Sequence, residues 1–418
     1  MISHLSPSAR LYLLHAAILT FGLSISGLFF NLTLVALGYD QQTIRLPLLG
    51  DLSLLGVLNS LPVLTAALSS APIWWLVSRV GLRASLLTAT AMTAFSLLCV
   101  ALWPEPLPLM LGVALGGPAA VLFQISAAPL MMQASDTQSR DLLFSLSAGI
   151  GIGVAGVGSL VGGFLPGLAS TILDLAPQRA EAYRVTFAIA AVVVLASAIP
   201  LLPMRVSAAT AHAAVPPRTR ELFWSLASTP WATLRFLISP LLISCGAALL
   251  IPYLGLYFRL RYGATDAMLG LILAVIGVAT GLATLIAPRL SVRFGKPGSV
   301  VLTHVLAIPC LILLGLAPVL WLAAAIAMVR GALMNMALPL YQAHAMEQTP
   351  EFARPLVIGL IGAAYSVGYI IGPTISAEMQ RSSGFSPIFA ATAACYCLAA
   401  LANYLIFVRP GRAVSLAP

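Results

Sequence analysis

Apolar runs of about 20 residues, the length a helix needs to cross the hydrocarbon core of a bilayer, recur along almost the whole of this 418-residue chain. Only short polar breaks separate most of them. Lipid offers no partner to backbone N–H and C=O groups, so a chain with this pattern has two solutions, a set of helices or a closed barrel. Alternating strands of the barrel type are absent from the sequence. With 60% hydrophobic and 8% charged residues, the composition departs from that of ordinary soluble domains in the same direction. The fold class expected is an all-α membrane protein.

Reading the apolar runs against the breaks predicts twelve spans, at 11–38, 50–76, 84–103, 107–133, 142–167, 183–202, 233–258, 267–288, 298–317, 319–344, 355–379 and 386–408. The longest break follows the sixth span and is rich in Pro, Ala and Arg. It divides the chain into an amino-terminal six-helix bundle (1–202), a cytoplasmic linker (203–232) and a carboxy-terminal six-helix bundle with a short tail (233–418). With the amino terminus inside, fourteen of the 21 basic residues fall in cytoplasmic segments and six on the opposite side. That bias predicts a multi-pass protein of the inner (cytoplasmic) membrane with both termini cytoplasmic. The opening residues run into the first span without a cleavage pattern, so no removed signal peptide is expected.

The formal charge of +9 comes from arginines scattered singly between spans, which read as topology signals rather than as a nucleic-acid footprint. Cys99, Cys245, Cys310, Cys395 and Cys397 all lie within spans and lack metal-ligand spacing; they read as small core residues. No metal, cofactor or nucleic-acid partner is expected. No phosphate-binding loop and no Ser-His-Asp spacing stands out, so neither ATP-driven pumping nor an enzyme is expected.

The two halves repeat. A shift of 210 carries Pro129-Leu130 onto Pro339-Leu340 and Gly158 and Gly162 onto Gly368 and Gly372, while a shift of 214 carries Arg79-Val80-Gly81 onto Arg293-Phe294-Gly295. Twelve spans, a central linker and a basic glycine-containing turn after spans two and eight together resemble the major facilitator superfamily, whose fold is built from such repeats. The first turn, Ser78 to Arg83, keeps Arg79, Gly81 and Arg83 of the family pattern Asp-Arg-x-Gly-Arg-Arg/Lys but has Ser78 in place of the acidic residue. The second, Arg293-Phe294-Gly295-Lys296, is also partial. The resemblance implies that these turns help lock the halves on the cytoplasmic side, with Asp136, Asp141, Glu347 and Glu351 as candidate gate partners; ordinary positive-inside loop residues are the competing reading. The end of span five, to Gly163, resembles the Gly-Pro-x-x-Gly-Gly element of drug and proton antiporters, with Ser159 at the proline position, and span eleven keeps Gly372-Pro373. Small residues four apart permit close helix approach, and the expectation drawn from the resemblance is interdomain packing by Gly158, Gly162, Gly163, Gly368, Gly372 and Pro373; generic small-residue packing is the competing reading.

One charge lies deep in this apolar chain. Arg330 falls about eleven residues into span ten, roughly 16 Å along a helix. A guanidinium there costs from roughly 2.5 kcal/mol on insertion scales to 10 or more in simulations, so it needs a wet cavity, a ligand or a partner. The matching position in the first half is Ala120. The family places the cavity on spans one, four, seven and ten, which makes Arg330, Asn335, Gln124, Asn31, Tyr253 and Tyr257 substrate-binding candidates, with Tyr365 and Tyr369 on span eleven. Structural bonding is the alternative for Arg330, and packing for each tyrosine pair. His304 and Asn403 are expected to bond structurally. Titratable groups are scarce, and Asp51 and Glu378 are the candidates for proton coupling. The resemblance implies a monomeric secondary transporter of a small organic solute working by alternating access, with export favoured. An uptake carrier for an organic anion or sugar, and a non-transporting sensor or scaffold on the same fold, are the alternatives.

Overall fold

The computed structural model describes residues 5–46, 50–136, 139–176, 178–204, 230–350 and 353–409. Glu351, the side chain of Asp141 and the linker segment 205–229 lie outside the described residues. The helices are α1 Pro7–Gly27, α2 Phe30–Ala36, α3 Leu54–Val80, α4 Leu82–Leu102, α5 Pro106–Ala134, α6 Arg140–Ile172 and α7 Ala180–Ala196, followed by α8 Pro230–Leu250, α9 Leu254–Tyr262, α10 Asp266–Leu316, α11 Leu320–Glu347, α12 Arg354–Ser383 and α13 Ser386–Asn403. A 3-10 turn at Ile251–Tyr253, with Pro252 at its centre denying the helix a donor, joins α8 to α9 into one span. A π-helical turn, Tyr404–Val408, ends the last span.

Eleven helical segments among the described residues are long and apolar enough to cross a membrane. One of them, α10, has 51 residues and would extend about 76 Å, more than twice the bilayer core. Gly295 divides it, with φ 70° and ψ 163°, a conformation that only glycine adopts without strain. The segment is therefore two spans, the total is twelve, and residues 289–294, expected as loop, are helical. Gly81 breaks the chain between α3 and α4 in the same conformation, φ 85° and ψ 162°, so the repeat at a shift of 214 is geometric as well as sequential.

A short hairpin accompanies the helices. Strands β1 Thr43–Leu46 and β2 Gly50–Ser53 form an antiparallel hairpin, with Arg45 opposite Asp51. The second span starts at Leu54 rather than at residue 50. Four-residue strands with mostly exposed side chains carry too little periodicity to announce themselves. The buried Tyr39, just before the hairpin, donates its hydroxyl to the carbonyl of Pro104. Burial and the nearby Glu105 carboxylate push its pKa up, so the phenol keeps its proton and the bond persists across the physiological range.

The backbone forms two compact units, Met1–Ala214 with Gly263–Gly277, and Val215–Tyr262 with Val278–Pro418. In the first, α1 packs on α6 and α7; in the second, α8 packs in the same way on α12 and α13. Glycines make both contacts close. A Cβ at Gly158 would come within 2.9 Å of the Phe21 carbonyl oxygen, and one at Gly162 within 2.5 Å of that of Ile25. Gly368 lies as tightly on the Ser244 backbone, and a Cβ at Gly372 would stand 2.6 Å from that of Ala248. These four glycines make their closest contacts inside the units. Gly163 faces Gly270 at the head of α10, and the Tyr183 hydroxyl donates to Asp266 at 3.1 Å. Both contacts hold Gly263–Gly277 in the first unit.

Prolines inside these helices strip the carbonyl four residues earlier of its donor. Pro118 leaves the carbonyl of Ala114 without its helical partner, and Thr65 Oγ1 on α3 donates to it at 2.7 Å. Pro240 does the same to Phe236, which receives the Tyr341 hydroxyl of α11 at 2.9 Å. Helix ends are treated alike. Arg83 donates to the carbonyls of Leu201 and Leu202, and Arg184 to those of Ala101 and Leu102 at 2.6 and 3.0 Å. Large apolar side chains such as Leu68, Ile172, Leu285 and Val292 are more than 70% exposed, as suits helices whose outer faces meet lipid.

Gly162→Ala is expected to destabilise the protein by about 1–3 kcal/mol, since α1 would have to move. In the same helix Gly151 has open space at its Cα, and Gly151→Ala should be neutral or stabilising by up to ~1 kcal/mol. Thermal unfolding of the detergent-solubilised variants measures both.

Candidate functional site

Arg330 stands at the eleventh residue of α11 and is 6% exposed. A terminal amino group of its guanidinium donates to the hydroxyl of Tyr396 on α13, and its carbon lies 5.4 Å from that ring's centroid. Its Nε has no partner. Among the described residues no carboxylate forms an ion pair with it. Tyr396 is fully buried and was not among the residues expected from sequence. Its only signal was a phenol in an apolar helix, which seeks a bond for its hydroxyl. On α12, Tyr365 and Tyr369 stack with centroids 5.5 Å apart. Tyr369 lies near Tyr396 and Arg330. The second unit thus gathers one unneutralised guanidinium and three phenols from α11, α12 and α13. Such a set donates hydrogen bonds to carboxylate, phosphate or sugar oxygens and offers a flat face for stacking.

Asn335, further along α11, is exposed, and its side-chain amide donates to the Gly331 carbonyl at 2.9 Å. Pro339 deprives the Asn335 carbonyl of its helical donor. In the first unit, Pro129 does the same to Ile125, and Gln124 beside it is exposed. Asn31 is buried and accepts from Asn59 Nδ2 at 2.6 Å. Asn59, on α3, also donates to Leu55 at 2.9 Å; it too went unnoticed in the sequence, where a lone amide has no pattern.

The other tyrosine pair has a different setting. Tyr253 is fully buried and donates to the Pro373 carbonyl at 2.9 Å. Tyr257 donates to Leu314 at 3.0 Å and lies among Phe385 and Phe389, with ring centroids 5.2 and 5.0 Å away. Backbone acceptors hold both hydroxyls.

At the glycine turns, Arg79 stacks on Trp75 at 4.1 Å and Arg293 on Phe294 at 5.4 Å. Lys296 pairs with Glu347 within the second unit. Asp136 accepts from the backbone N–H and hydroxyl of Ser139 at 2.7 and 2.6 Å, in the turn that precedes α6. Of the proton-coupling candidates, Asp51 sits on the hairpin and Glu378 pairs with Arg381 at 2.7 Å. Asn403 donates to Ser239 at 2.8 Å and lies 3.5 Å from His304.

Against known proteins, the sequence matches the family described as the Major Facilitator Superfamily in two overlapping stretches, residues 14–329 and 236–417. No curated protein matches it. Among solved structures, a mutant of the nucleoside transporter NupG is similar with a TM-score of 0.74 at 15% identity, covering 96% of this chain and 100% of that one. A D-xylose–proton symporter gives 0.71 at 16%, covering 96% and 97%. A bacterial homologue of the human lysosomal transporter Spinster, inward-facing and unoccupied, gives 0.71 at 15%, covering 96% and 95%. Identities this low carry the fold alone. Together, the family match along nearly the whole length and the twelve apolar spans make this chain a multi-pass integral membrane protein that belongs to the Major Facilitator Superfamily.

Proposed function

We propose that this chain is a secondary carrier that moves a small organic solute by alternating access, and that Arg330 recognises an anionic or strongly accepting group on that solute. One observation carries the reading: a guanidinium 6% exposed, with its Nε unpartnered and no carboxylate paired to it among the described residues. A charge held so deep in lipid is costly, and an acceptor arriving with the solute offsets that cost. Tyr396 fixes the guanidinium, while the stacked Tyr365 and Tyr369 suit a ring or sugar face. Nucleosides and D-xylose, named for two structurally similar transporters, are polar organic solutes of this general kind.

Export is preferred because the end of span five resembles the antiporter element, and proton coupling through Asp51 or Glu378 belongs to the same proposal. Uptake would reverse the sign of the flux, and a sensor would bind without flux. The arginine distribution supports both termini lying inside, and a monomer in the cytoplasmic membrane belongs to the same proposal.

The test is flux into and out of proteoliposomes carrying the full chain, across sugars, organic anions and lipophilic drugs, with and without a proton gradient. Saturable flux of at least one polar solute is expected; a folded preparation with neither binding nor flux across the panel refutes carrier function. Arg330→Ala should weaken binding by roughly 10- to 100-fold, the worth of a hydrogen bond to a charged group, whereas Arg330→Lys keeps part of it if charge outweighs the planar fork. Unchanged affinity in a well-folded Arg330→Ala protein removes Arg330 from the site.

Tyr396→Phe takes away the hydroxyl that accepts from the buried guanidinium. A loss of about 1–3 kcal/mol in stability is expected, read by thermal unfolding.

A further inference from the structure

The second unit carries a groove of about 480 Å³ on its outer surface, where the second half of α10 meets the π-helical end of the last span. Phe294, Pro297, Val301, Val305, Tyr404 and Phe407 line it. Its walls are apolar and partly exposed, with Phe294 and Val305 both at 48%. The wide π turn, Tyr404–Val408, supplies one wall, and such turns mark functional positions more often than regular helix does.

One end of the groove is basic. The Arg293 guanidinium lies 5.4 Å from the Phe294 ring, and that of Arg235 lies 5.8 Å from the Phe407 ring, so two aromatic walls each bear a cation. Arg409 directly follows Val408, another lining residue, and is exposed. Glu347, which would otherwise offset this charge, is ion-paired with Lys296. At its other end the groove runs along Leu302 and Val305, inside the apolar span. A cationic mouth over an apolar furrow in a membrane protein matches a molecule with an anionic head and a hydrocarbon tail.

We propose that this groove binds an anionic glycerophospholipid of the surrounding bilayer, its phosphate against Arg293 and Arg409 and one acyl chain along Val301, Val305 and Tyr404. The site is separate from Arg330 and does not depend on which solute, if any, is carried. Each basic side chain near a membrane surface contributes on the order of 1 kcal/mol toward anionic lipid, so two give roughly tenfold or more in affinity over a zwitterionic lipid.

The test is native mass spectrometry of the full chain, delipidated in detergent and titrated with dioleoyl phosphatidylglycerol or dioleoyl phosphatidylcholine. Wild type is expected to retain one phosphatidylglycerol with about tenfold preference. The double variant R293Q/R409Q should lose the preference while still taking up lipid weakly. Val305→Trp, which fills the furrow on a lipid-facing surface and leaves the charges in place, should reduce retention of phosphatidylglycerol at least fivefold. Equal retention of the two lipids by wild type overturns the proposal, as does an unchanged preference in the folded double variant. Full retention in Val305→Trp overturns it too, since the acyl chain would then lie elsewhere.

Discussion

A helix in lipid must find the hydrogen bonds of its backbone within the protein, and here side chains from neighbouring helices make good several of the bonds that prolines and helix ends remove. Thr65 reaches the carbonyl that Pro118 leaves bare, and Tyr341 reaches the one left by Pro240. Arg83 and Arg184 cover the last carbonyls of the segments they pack against. These bonds fix which helices pair and at what height, where dispersion between apolar faces alone would permit sliding. The close glycine contacts of α1 with α6 and of α8 with α12 then set how near the axes come. Each unit is thus specified by a few polar pins and small-residue contacts in an otherwise uniform apolar background.

Arg330 departs from that economy. Among the described residues it bonds no backbone carbonyl and pairs with no carboxylate; its bond goes to one phenol. The first unit has alanine at the matching position. The repeat keeps its Arg-x-Gly turns, its paired glycines and Pro129-Leu130 with Pro339-Leu340 in register, yet differs at this charge, where a change is expensive.

Much of the architecture was legible because the signals were long or repeated. Runs of about twenty apolar residues announce spans, and the matching Arg-x-Gly turns at Gly81 and Gly295 proved to share one backbone conformation. What stayed hidden was short or non-local. The hairpin at Thr43–Ser53 is two four-residue strands. Tyr396 meets Arg330 across 66 residues of sequence and Asn59 meets Asn31 across 28, and no local pattern links such partners. Gly158, Gly162, Gly368 and Gly372 lie close against neighbouring helices of their own units, and no local pattern in the sequence names those helices.

The proline pins carry a consequence for how such a chain can vary. Pro118 and Thr65 act as one decision: the threonine hydroxyl matters because the proline is there, and were Pro118 an ordinary residue its own N–H would reclaim the Ala114 carbonyl and make that hydroxyl redundant. Pro240 and Tyr341 stand in the same relation on the other unit. Drift in these helices is therefore directional. The proline can be lost first and its partner afterwards, but the reverse order passes through a bare carbonyl in lipid, so each pin acts as a ratchet on the sequence around it.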